Sequence, residues 1–170
     1  MTARSRIPPE ARVVLRFLGA WSVLTLLGFR ARGLNDALDL GLARFLGASL
    51  NLIHIPATVV STIVLFGSRN LRVADPCNGL QLLEILLALV WAWPAPWRER
   101  ALGLAWMLPL LFLANLVRLY SLVPLLLYRP DDFEMIHQYV WQVVMVGVTL
   151  AIGVAWMTRS GNRAVDRPGA

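Results

Sequence analysis

The chain has 170 residues, 58% of them hydrophobic, with a mean hydropathy of +0.62; that is room for one domain, and too apolar for an ordinary soluble one. All 16 basic residues are arginine and the net charge is +6. The arginines stand mainly at the ends of apolar runs, which suits membrane topology and anionic headgroups and argues against a nucleic-acid partner.

Residues 1–12 are polar and basic, with Arg4, Arg6 and Arg12. An apolar run over 13–29 follows. No small-x-small cleavage site comes after Phe29, where the chain continues Arg30-Ala31-Arg32-Gly33, so the run reads as an uncleaved signal anchor and first span. Arg16, inside it, can snorkel to the headgroups. Residues 34–50 are amphipathic, interrupted by Asp36, Asp39, Arg44 and Ser49, and predict an interfacial helix. Residues 53–65 are apolar and β-branched, but His54 and Pro56 break their start. Two readings stay open: a further span, or the first arm of a short hairpin that pairs 58–65 with 71–74 across a turn at 66–70. The hairpin is preferred, within an extracytoplasmic segment over 30–78.

Asp75-Pro76-Cys77-Asn78-Gly79 reads as a turn opening a second span over 79–96, with Gln81 and Glu84 inside it and Pro94 and Pro96 at its end. Trp97, Arg98 and Arg100 mark an interface. The third span, over 101–120, holds Asn115 and Arg118 near its far end, and 121–128 continues past Pro124 along the outer interface. Residues 129–134 form a polar loop, 136–157 the last span and 158–170 a polar tail with Arg159, Arg163 and Arg167. The expected fold class is an all-α integral membrane protein: about four transmembrane helices, an extracytoplasmic amphipathic helix and a short β-hairpin, in a single membrane domain. Four spans put the basic N-terminus, the 97–100 loop and the C-terminal tail together in the cytoplasm, as the positive-inside tendency asks.

The same topology delivers three chemical groups to one depth. Cys77, the only cysteine, opens the second span at the outer face. Arg118 lies about 26 Å along the third span from Ala101, near that face, and His137 opens the fourth span there. Cys77, Gln81 and Glu84 stand at i, i+4 and i+7, which predicts a polar stripe facing Asn115 and Arg118. An imidazole, a guanidinium and a helix N-terminus at Gly79 all favour a thiolate. A thiolate can attack an amide carbonyl, His137 can protonate the leaving amine, and Arg118 can stabilise the oxyanion or orient the substrate.

These motifs, Asp75-Pro76-Cys77-Asn78-Gly79-Leu80, then Asn115-Leu116-Val117-Arg118, then His137 at the start of a last span, resemble the exosortase/archaeosortase family. Its multi-span members carry a Cys-x-Gly motif, an Asn-x-x-Arg motif and a histidine at the extracytoplasmic membrane face. The resemblance covers residues 58–157. It implies a membrane cysteine peptidase or transpeptidase that cleaves C-terminal sorting signals of exported proteins, each a short motif, a hydrophobic helix and a basic tail. It implies catalytic roles for Cys77, Arg118 and His137, with Asn78 and Gly79 beside them in the cysteine motif. Asn115 reads as a hydrogen-bonding support that holds a helix contact or orients Arg118, and Glu84 as a supporting group, neutral in the membrane or paired with Arg118. No cofactor is expected, and no metal, since His54 has no partner spaced to form a site with it. The expected place is the cytoplasmic membrane, with the active site facing outward. Two features depart from the family pattern: Asn78 stands where many members have serine or alanine, and the chain is short.

Singly, each residue has a plainer reading. Cys77 alone is an inert packed thiol, His137 an interfacial histidine, and Arg118 an interface anchor or an ion-pair partner of Glu84. Read that way, the chain is a non-catalytic membrane accessory of an export or exopolysaccharide assembly system. A small transporter using Glu84 and Arg118 is a third reading, against which the lack of an inverted repeat counts.

Overall fold

The computed structural model describes residues 8–30, 32–73 and 79–165. Helix α1 spans Pro9–Arg30 and α2 spans Arg32–Leu52. Strands β1 (Ala57–Val60), β2 (Ile63–Phe66) and β3 (Arg69–Arg72) follow. Helix α3 covers Leu80–Ala92 and α4 covers Trp97–Tyr128. A 3-10 turn at Pro130–Asp132, a single turn α5 (Phe133–Met135) and a π-helical turn at Ile136–Val140 lead into α6 (Trp141–Val165).

The molecule is a helical, multi-pass membrane protein. Three stretches, Glu10–Gly28, Trp97–Tyr128 and Pro130–Ser160, are long and apolar enough to cross a bilayer. The fourth apolar helix, α3, is only 13 residues long, roughly 20 Å at 1.5 Å per residue. It is short of the ~30 Å hydrocarbon thickness.

The apolar core has two parts. In one, Leu82, Leu86 and Val90 of α3 meet Met107 and Leu111 of α4 and Met145, Ile152 and Trp156 of α6. In the other, Leu42, Leu46 and Leu50 of α2 meet Val64 and Phe66 of β2 and Leu119, Leu122 and Val123 of α4. Each buried leucine or phenylalanine contributes about 2 kcal/mol through the apolar surface it removes from water, an estimate that applies to the second cluster where it stands clear of lipid. Helix α4 belongs to both, its first half in a membrane bundle and its second half in a cap. It passes through Pro109 and Pro124 without ending. Trp141, at the start of α6, packs against both clusters.

The run 53–65 does not form a span; its residues enter a three-stranded antiparallel meander of order β1-β2-β3. Val60 pairs with Ile63 and Phe66 with Arg69, so the run 58–65 supplies two strands where a single hairpin arm was expected. The break falls at Ser61, whose φ is +57, and the second turn holds Gly67 at φ +58. Asn51 fixes the way in from α2: its Oδ1 accepts from Ala57 N and its Nδ2 donates to Ala57 O, both at 2.9 Å.

Helix directions follow from the side-chain meetings. Thr25 and Gly28 of α1 meet Glu84 near the start of α3, while Ala20 and Val23 face Val90 and Trp91 near its end, so the two helices are antiparallel. Trp156 of α6 donates to Glu99 O at the start of α4, and Trp93 after α3 donates to Ser160 Oγ. The end of α3, the start of α4 and the end of α6 therefore meet at one end of the bundle, with Arg98, Arg100 and Arg159. The cap occupies the opposite end.

Candidate active site

Helix α3 begins where Gly79 breaks the backbone pattern. Gly79 is the N-cap residue with φ +79 and ψ 4, a left-handed conformation that costs L-residues about 1–2 kcal/mol. Its α-carbon lies under the amide of Asn115: a Cβ built there would stand 3.5 Å from both Cγ and Nδ2 of that side chain. Asn115 is 3% exposed and Arg118, one turn further along α4, is 1% exposed. Arg118 is among the largest fully enclosed side chains in the molecule. Both lie at the junction of the two cores, between Leu111 of the bundle and Leu119 of the cap.

His137 reaches the junction by another route. It sits in the π-helical turn Ile136–Val140, a one-residue expansion of the helix of the kind that is frequent at functional sites. Its ring stacks on Phe133, with centroids 5.2 Å apart and planes inclined by 23°, and Phe133 is itself packed on the cap core. The charges of Arg118 and Glu134 both act on the imidazole. Gly79, Asn115, Arg118 and His137 thus link the start of α3, the middle of α4 and the π-turn. Cys77 and Asn78, two positions and one position before Gly79, lie outside the described residues.

Glu84 takes a different place. Its Oε2 accepts from Thr25 Oγ1 at 3.2 Å, and its Oε1 lies where a side chain on Gly28 would be, so the carboxylate faces α1. Gln81 is exposed. Of the predicted stripe of Cys77, Gln81 and Glu84, Cys77 lies outside the described residues, and Glu84 meets α1.

One polar residue of this region was not singled out by spacing. Asp39 of α2 is 8% exposed. It precedes Leu42, Ala43 and Leu46, all buried on the face that meets α4. Its i+3, i+4 and i+7 spacing to those residues is the signal that would have placed Asp39 on the covered face. Beside these groups an apolar cavity of about 500 Å³ opens between α2, α3 and α4, with Leu38, Leu83 and Phe112 on its walls and Gly79 and Asn115 at one edge.

No curated protein and no solved structure matches the chain. A sequence profile described as transmembrane exosortase matches residues 9–156, a stretch that runs from the first turn of α1 deep into α6. It takes in Gly79 at the start of α3, Asn115 and Arg118 in the middle of α4, and His137 in the π-turn. On that match the chain belongs to the transmembrane exosortase family.

Proposed function

We propose that this exosortase-family protein is a cysteine peptidase or transpeptidase that cleaves C-terminal sorting signals of exported proteins at the extracytoplasmic face of the cell membrane. The observation that carries the reading is the meeting of Gly79, Asn115, Arg118 and His137 at one depth, on three separate chain segments. Chain connectivity alone keeps Cys77 within about 7 Å of Gly79.

In this reading the Cys77 thiolate attacks the scissile carbonyl carbon, forming a C–S bond and a tetrahedral oxyanion. Arg118 stabilises that charge; enclosed away from water, its guanidinium acts at greater strength than it would in solvent. Collapse breaks the C–N bond, and the leaving amine takes a proton from the His137 imidazolium. The acyl group is left as a thioester on Cys77. Water or an acceptor amine or hydroxyl then attacks the thioester, giving its proton to His137 and releasing the thiolate. Asn115 packs on Gly79 and so helps to set where the chain leading to the thiol leaves α3. The apolar cavity beside Gly79 and Asn115 suits the hydrophobic segment of a sorting signal. The basic end of the bundle faces the cytoplasm, which leaves the cap outside.

The test is processing of a tagged exported protein that ends in a short motif, a hydrophobic helix and a basic tail. Cys77→Ala and Cys77→Ser are expected to abolish cleavage while the protein still inserts in the membrane. Cleavage at the normal rate by the Cys77→Ala protein refutes the nucleophile and leaves the accessory reading in its place.

A further inference from the structure

The sheet of the cap has two edges, one closed and one open. Val73 N donates to Thr62 O at 2.8 Å, so pairing with β2 continues one residue past β3. Hydrogen-bonded pairs alternate along an antiparallel ladder. Leu71 and Val73 therefore turn their main-chain groups to β2, while those of Asn70 and Arg72 point out of the sheet. No hydrogen bond from the described residues reaches those outward groups, and Arg69, Asn70 and Arg72 are exposed.

The closed edge is that of β1. By the same alternation, the groups that point away from β2 there are those of Ala57 and Val59. The Asn51 amide takes both main-chain groups of Ala57, as a neighbouring strand would, and Val59 lies against Gly47 of α2. An open edge is a template for any extended chain. The one left open here belongs to the strand that runs on to Cys77. Arg72 precedes Cys77 by five residues, which holds their α-carbons within about 18 Å of each other.

We infer that the free edge of β3 binds the extended segment of the exported substrate that precedes its hydrophobic helix, main chain to main chain. The inference rests on the peptidase reading and adds a substrate-binding strand to it. Asn70 and Arg72 each offer one N–H and one C=O, a spacing that an extended peptide matches at every second residue. About five substrate residues at roughly 3.3 Å each cover the distance from Arg72 to the thiol. A short motif can therefore pair with the edge and still present its scissile bond to Cys77. The hydrophobic helix itself cannot use the edge, because its N–H and C=O groups are already bonded within it. A second copy of this chain is the competing occupant, and charge opposes it. Antiparallel pairing of two β3 strands about Asn70-Leu71 sets Arg69 of each against Arg72 of the other, and neither arginine is ion-paired among the described residues.

The test uses the full-length protein in detergent micelles and synthetic peptides of the C-terminal segment of the tagged substrate. Each peptide is N-methylated at one residue ahead of the hydrophobic helix, which removes one main-chain donor and keeps every side chain. Methylation at alternate residues is expected to slow cleavage about tenfold or more, the margin of one hydrogen bond, and methylation between them to slow it far less. That period of two is the signature of strand pairing, which recognition through side chains alone does not produce. On the protein, Arg72→Pro removes an outward N–H at an edge position where proline is tolerated. It is expected to raise KM about tenfold above that of Arg72→Ala. Efficient cleavage of every methylated peptide, or a loss without the alternation, overturns the inference, and that comparison needs no variant to fold. In a Cys77→Ser background, a disulfide between two copies of the Asn70→Cys protein also overturns it and assigns the edge to a second copy. Failure of the unaltered protein to cleave the unmethylated peptide is a different result: it refutes the peptidase reading, and the edge assignment falls with it.

Discussion

At Gly79 the backbone is left-handed and the Asn115 amide rests on the α-carbon at ordinary contact distance. An alanine there meets no steric clash, so its cost is conformational. Gly79→Ala is expected to lower stability by about 1–2 kcal/mol, read as a fall in the unfolding temperature of the purified protein. It is also expected to slow processing of the tagged substrate several-fold, because the same torsion sets the direction of the chain towards Cys77. A rise or no change in both readouts would show that the position tolerates a right-handed turn. Residues of this kind were legible in the sequence by type and order. Asn115 and Arg118 at i and i+3 do share a buried face of α4. Glu84, grouped by spacing with Cys77, meets Thr25 and Gly28 of α1, a contact set by tertiary packing that helical spacing does not carry.

Among the elements, the π-turn at Ile136–Val140 has the most direct bearing on the site. One residue more than an α-helix needs is accommodated there, and His137 is among the five. Deleting Gln138 is expected to restore α-helical geometry. The segment before it then rotates by about 100° and shifts by about 1.5 Å relative to α6. Processing should fall to background while α6 still inserts, as shown by membrane fractionation and protease protection. Full processing by the deletion variant would remove His137 from the mechanism. Nothing in Ile136-His137-Gln138-Tyr139-Val140 announces a π-turn; the apolar periodicity on both sides is that of ordinary helix, and the expansion shows only in the folded chain. The sheet was half legible. Gly67 marked its turn, but Ser61-Thr62 lies inside a β-branched run whose composition suits strand throughout, and the fold, not local propensity, cuts it in two. Helix α4 ran on through Pro124 because cap packing on both sides of that proline outweighs the one lost backbone hydrogen bond.

For the whole molecule, the single cysteine makes topology measurable without engineering. A membrane-impermeant maleimide added to intact spheroplasts is expected to label Cys77. In a Cys77→Ser background, a cysteine placed by Thr158→Cys at the exposed basic end of α6 is expected to react only after the membrane is permeabilised. Labelling of the second variant in intact spheroplasts would invert the arrangement and put the cap in the cytoplasm. The gathering of the arginine-bearing ends of α4 and α6 at one end of the bundle was foreseeable from charge counting. The division of the core in two was not, since it depends on one long helix serving two environments, and the apolar pattern of α4 is continuous across the change.

That shared helix has a mechanical side. Pro109 and Pro124 stand on either side of Asn115 and Arg118, and each deprives a carbonyl one turn earlier of its donor, the usual place for a helix to bend. If α4 bends at those two prolines, the stretch between them moves as one short rod. Pressure on the cap from an arriving exported chain, or a change in bilayer thickness beneath it, would be transmitted as a tilt of that rod, carrying the buried guanidinium with it relative to the neighbouring imidazole.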